Sequence, residues 1–129
     1  MIMTQEDAAS FLKIDISEVK KIIADENFNR QKVSLAQIQI RVCQRFNMTI
    51  FELVSHRRAR EVAWPRMIAY WLSRRLTTAS MPQIATQYAK DHSTIVYGCR
   101  RVEEWKHFDQ TKEWYLAAVE LYKELASTK

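Results

Sequence analysis

Residues 80–104 read SMPQIATQYAKDHSTIVYGCRRVEE, and their pattern decides the fold. Ser80-Met81-Pro82-Gln83 opens a short helix. It is expected over 82–88, with Ile84, Ala85 and Tyr88 on its apolar side. Ala89, Lys90 and Asp91 form a tight connection, after which Asp91 or Ser93 caps a longer helix over about 92–104. Ile95, Val96, Cys99 and Val102 give that helix its apolar stripe. Two helices joined by three residues make a helix-turn-helix, which sets the first residues of its second helix against base edges in a DNA major groove. Here those residues are Asp91, His92, Ser93 and Thr94. They are short and polar, at a helix N-terminus that also favours a phosphate.

Helical signals continue on both sides. Pro65 would break the middle of a helix, so one is expected to start there, with Ile68, Leu72 and Leu76 inward and Trp71 beside them. Ser34 with Gln37 and Thr49 with Glu52 are two capping boxes. The first opens a stripe of Leu35, Ile38, Val42 and Phe46, and the second opens a short helix to about Val54. A last helix over about 111–126 carries Trp114, Ala118, Leu121 and Leu125 on one side and Tyr115 and Tyr122 on another. Upstream, Thr4 caps a stretch to about Leu12 and Ser17 caps one ending near Asp25, before polar residues 27–32. The expected organisation is a helical extension over 1–32 and an all-α, compact multi-helix bundle over 33–129. The extension is expected to cap the core or to make a homodimer contact; a second helix-turn-helix is the alternative. The aromatics of these helices, among them Phe46, Phe51, Trp71 and Tyr88, are expected in the core together with Met81 and Cys99.

Composition agrees and excludes several functions. Of 129 residues, 47% are hydrophobic, which is ample for a core and rules out a disordered chain. Gly98 is the only glycine and there are two prolines, so all-β folds, Rossmann fingerprints and P-loops are excluded and no nucleotide is expected by a glycine-rich route. Cys43 and Cys99 share no ligand spacing with His56, His92 or His107, so neither a metal nor any other cofactor is expected. No stretch reads as a signal peptide or a membrane span, so the expected location is the cytoplasm, at the nucleoid.

The charge points to a partner. Of the net +5, everything comes from residues 55–75, where Arg57, Arg58, Arg60, Arg66, Arg74 and Arg75 face one acid, Glu61. Arginine's planar fork suits phosphates and guanine edges. Six phosphates neutralised by six arginines would give a slope of log affinity on log salt of about −5.

Residues 62–76, with Ala63, Pro65 and Arg66 at their entry, resemble the start of the DNA-binding domain of the bacterial replication initiator DnaA. The likeness continues through Thr77, residues 80–84 and Asp91-His92-Ser93-Thr94-Ile95-Val96 to Glu103, and reaches upstream through the basic stretch 55–60 to Val33. It implies a Trp-repressor-like helix-turn-helix that binds double-stranded DNA at sites of the DnaA-box kind. By that likeness Arg58 enters the minor groove, where a narrow A·T-rich groove rewards it. Asp91, His92, Ser93 and Thr94 meet bases, with Asp91 able to accept from a cytosine amine and the Thr94 methyl able to meet a thymine. Arg57, Arg60, Arg66 and Arg74 contact phosphates or support the basic loop, and Met81 and Pro82 abut the duplex. Departures from the family are a turn one residue shorter and without glycine at Ala89-Lys90, Ser93 in place of threonine, and Glu61 inside the basic loop. No nucleotide-hydrolysing domain is read in this chain. The expected role is that of a DNA-binding regulator of transcription or of replication initiation, or a competitor at DnaA-type sites.

Two rival readings stand beside this one. Enzymatic use of Asp91 and His92 as an acid–base pair is disfavoured because adjacent helical residues point about 100° apart. A protein-interaction module could instead offer its arginines to an acidic partner.

Overall fold

The computed structural model describes residues 33–127. Six helices follow one another: α1 Leu35–Phe46, α2 Ile50–Leu53, α3 Arg60–Leu76, α4 Met81–Tyr88, α5 His92–Trp105 and α6 Lys112–Ala126, with a 3-10 turn at Asp109–Thr111 before α6. There is no strand among the described residues, and the all-α reading holds.

Both expected capping boxes form, and a third stands at the start of α4. Ser34 Oγ accepts from the Gln37 N–H at 3.1 Å while Gln37 Oε1 accepts from the Ser34 N–H at 2.8 Å. Thr49 with Glu52 and Ser80 with Gln83 repeat that exchange at the starts of α2 and α4. Asp91 occupies the capping position of α5, but its carboxylate makes no cap bond.

The connection Ala89-Lys90-Asp91 spans the residues expected. Ala89 closes α4 in the left-handed region, at φ 54° and ψ 46°. Its N–H bonds the Thr86 carbonyl, and the Lys90 N–H reaches back to the Ala85 carbonyl at 2.9 Å, a Schellman closure. A β-carbon is strained there, so Ala89→Gly is expected to stabilise the protein by about 0.5–1 kcal/mol after the unfolded-state entropy of glycine is subtracted. Urea unfolding checks it; a loss of stability would show that the turn tolerates the methyl freely.

Helix α3 is the hub and packs against each of the other five helices. Its Ile68, Leu72 and Leu76 are wholly buried, as expected, and meet Ile38, Val42, Ile84, Ile95 and Val102. Each such side chain contributes roughly 1.5–3 kcal/mol of burial. An aromatic cluster ties four helices together: Trp64 lies 4.9 Å from Trp105 and 5.2 Å from Trp114, and Trp114 stacks on Phe46 at 5.6 Å. Both expected faces of α6 are used, with Tyr115, Ala118, Leu121 and Tyr122 buried.

Several expectations are corrected. Helix α3 starts at Arg60, five residues before Pro65. Pro65 removes only the bond to the Glu61 carbonyl, and the buried Val62 anchors the turn ahead of it. Glu61 accordingly stands in the first turn of α3, where the helix dipole favours a carboxylate, and not inside the basic loop. One aromatic expected in the core, Phe51, is 88% exposed; Tyr97 and Phe108 are exposed as well. Both cysteines are free and buried. The expected helices within 1–32 lie outside the described residues.

Candidate nucleic-acid interface

The helix-turn-helix and the basic loop have to be neighbours if they act on one ligand, and the bonds at the root of the loop make them so. Lys90, in the turn between α4 and α5, sends its ammonium to the carbonyls of Val54 and Ser55, both at 2.9 Å. His56, the next residue of the loop, lines one cleft with Ala85, Thr86, Ala89, Asp91 and Thr94. The start of α5 and the root of the arginine loop therefore share a surface.

Arg66 fixes the loop from below. Its side chain is buried and donates to the Leu53 carbonyl at 2.7 Å, the Arg57 carbonyl at 3.0 Å, the Glu52 carbonyl at 3.3 Å and Ser55 Oγ at 3.3 Å. Of the two parts expected for Arg66, these bonds are those of loop support, with the guanidinium facing backbone. Burial lowers the basicity of both Arg66 and Lys90, and the proximity of Arg66 adds to the effect on Lys90. Carbonyl dipoles offset that like-charge contact.

The remaining arginines divide. Arg57 and Arg58 project from the loop; Arg57 makes a long 3.4 Å contact with Glu52, while Arg58 is exposed with no partner among the described residues. Arg60 is exposed and lies over the Trp64 ring at 4.5 Å, on the aromatic cluster at the C-terminal end of α5. Arg74 is exposed beside Cys99, midway along α5. Burial pushes the Cys99 thiol up to about 11 despite that neighbour. Arg75 turns inward to Glu103 at 3.1 Å, and the same carboxylate oxygen accepts from the Trp71 indole at 2.9 Å. Two of the six arginines thus serve the fold.

On α5, Asp91, His92 and Ser93 are exposed and Thr94 is half-buried in the cleft. The backbone N–H of Thr94 is taken by the Asp91 carbonyl. At the start of α4, Met81 is half-buried and Pro82 exposed; Pro82 has no N–H and Ser80 takes that of Gln83. Only the Met81 amide is free to meet an anion there.

Sequence reasoning missed three residues. Tyr97, 57% exposed, and Arg100, also exposed, extend the outer face of α5 from Ser93. Their i+4 and i+7 spacing was the available signal. Lys90 gave none, because its partners lie 35 and 36 residues away. Among the described residues no cluster of His, Cys, Asp and Glu suits a metal ion, and no helix is long and apolar enough to cross a membrane.

The family described as bacterial dnaA protein helix-turn-helix matches residues 35–102, more than half of the chain. The chain belongs to the bacterial DnaA helix-turn-helix family. Among curated proteins, it is similar to the chromosomal replication initiator protein DnaA of Rickettsia akari, 36% identical over 94 residues that make up 71% of this chain and 20% of that protein. It is also similar to the DnaA proteins of Zymomonas mobilis and a Ruegeria species, 32% and 31% identical over 99 residues, 75% of this chain. The chain spans about a fifth of the length of the DnaA relatives it matches. The DnaA-family match runs from the first turn of α1 to Val102 on α5, so the basic loop, Arg66, the Lys90 turn and the exposed face of α5 all fall within it.

Proposed function

We propose that this protein binds double-stranded DNA sequence-specifically and acts as a regulator of transcription or of replication initiation at sites of the DnaA-box kind. The observation that carries the reading is the joining of the arginine loop to the recognition-helix turn through Lys90. In this reading Arg58, exposed and unpaired, enters the minor groove. Asp91, His92, Ser93 and Thr94 meet base edges in the adjacent major groove, and Arg57, Arg60, Arg74 and the Met81–Pro82 turn meet phosphates. The family membership and the net charge of +5 support the same conclusion. The proposed location is the cytoplasm, on the nucleoid.

The rival reading, a module for an acidic protein partner, draws on Phe51, which is 88% exposed on α2 close to the loop. Salt separates the two. With Arg66 and Arg75 turned inward, four exposed arginines in the cluster predict a slope of log affinity on log salt of about −4 for duplex DNA, in place of about −5 for six. Fluorescence anisotropy of a labelled duplex at several potassium chloride concentrations measures it. No duplex binding at low salt would overturn the reading in favour of the protein partner.

A further inference from the structure

Given the duplex-binding reading above, on which this rests, we infer that Lys90 is a positioning residue whose ammonium locks the minor-groove loop to the recognition helix, so that the two act as one rigid caliper. Two cations from different parts of the fold hold the loop root. Arg66 of α3 claims the carbonyls of Glu52, Leu53 and Arg57 together with Ser55 Oγ. Lys90 claims the carbonyls of Val54 and Ser55. Every residue from 52 to 55 is thereby gripped, and Arg57 is gripped through its carbonyl. The segment that carries Arg58 leaves this root directly.

The two grips do different work. Arg66 ties the loop to the hub helix and so to the fold. Lys90 ties it to the turn ahead of α5, three residues or fewer from His92 and Ser93. Ala89, held at φ 54°, sets the direction in which the Lys90 side chain leaves the turn. Ordering a loop before binding removes an entropy cost that would otherwise be met on association. Lys90 therefore acts through Arg58 and not by touching the duplex. Its ammonium is already committed to two carbonyls and half-buried, a poor arrangement for a direct phosphate contact.

The test measures affinity of the full chain for a fluorescein-labelled duplex carrying A·T tracts, in parent and Lys90→Met backgrounds, each combined with Arg58→Ala or Thr94→Ala. Lys90→Met is expected to weaken binding about tenfold, and Arg58→Ala to cost about tenfold in the parent but under about twofold in Lys90→Met. The Thr94→Ala penalty stays the same in both backgrounds. Lys90→Arg, which keeps charge and donors, restores binding to within about threefold of the parent. Should Lys90→Met fail to fold, Lys90→Gln carries the same comparison. A full Arg58→Ala penalty in the Lys90→Met background overturns the clasp alone, and a salt slope reduced by about one alongside it marks Lys90 as a phosphate contact instead. A parent protein that binds no duplex overturns the duplex reading and the clasp with it.

Discussion

Arg66→Met is expected to cost about 3 kcal/mol of folding stability and to lower Tm by roughly 10–15 °C. Methionine keeps most of the buried stem, so little packing is lost and the effect isolates the guanidinium. Four donated bonds are lost, to the carbonyls of Glu52, Leu53 and Arg57 and to Ser55 Oγ, although the Glu52 carbonyl and Ser55 Oγ keep other donors within the loop. Charge-assisted bonds of this kind contribute about 1.5–3 kcal/mol each in isolation. The total is held down because an arginine whose basicity is already lowered by burial is relieved of its desolvation, and because water reaches the exposed loop in the variant. The loop then loses its shape before the helices lose theirs, so duplex affinity falls by more than tenfold even well below the transition. Thermal unfolding followed by circular dichroism gives the first quantity. A stability loss under about 1 kcal/mol would mean that the loop is held by other contacts.

Gly98→Ala is the second large effect, and it acts at the crossing of α3 and α5. A β-carbon at position 98 would stand 2.6 Å from Cδ2 of Tyr70 and 3.2 Å from its Cε2. The Tyr70 ring cannot swing aside, because it is almost fully buried and meets Tyr88 edge-on at 5.0 Å. Alanine gains about 1 kcal/mol of helix propensity over glycine, and the overpacking costs about 2–3. A net destabilisation of about 1–2 kcal/mol is expected. Trimming the obstacle in a Gly98→Ala, Tyr70→Leu double variant should recover the clash, so that its loss falls below the sum of the single losses. Strictly additive losses in urea unfolding would show that α3 and α5 do not meet through this ring.

These two sites show what a sequence yields and what it withholds. The capping boxes of Ser34 and Thr49 were legible because the exchange spans three residues and needs no tertiary partner. The stripe of Ile68, Leu72 and Leu76 was legible from its spacing. The start of α3 was not: proline marks where a helix may begin, while the actual start follows from burial of Val62 against the rest of the fold. For the candidate site, the places of Asp91 to Thr94 at the start of α5 could be read locally, while Arg58 was singled out by the resemblance to the DnaA family. The division of the six arginines could not, because Arg66 and Arg75 are turned inward by a carbonyl cage and by Glu103, partners that only the folded chain supplies. Phe51 shows the reverse failure, an aromatic expected in the core whose place on the short α2 leaves it in solvent.

Selection of bound sites from a random duplex pool, carried out with the parent protein, Arg58→Ala and Thr94→Ala, tests the central claim most directly. The parent is expected to enrich one asymmetric site with an A·T flank, as a single copy reading two adjacent grooves would. Arg58→Ala should lose the preference in the flank alone, and Thr94→Ala the preference within the core of the site alone. A parent that enriches nothing above the starting pool, or variants that recover the parent's site unchanged, would contradict the assignment of loop and helix to one duplex.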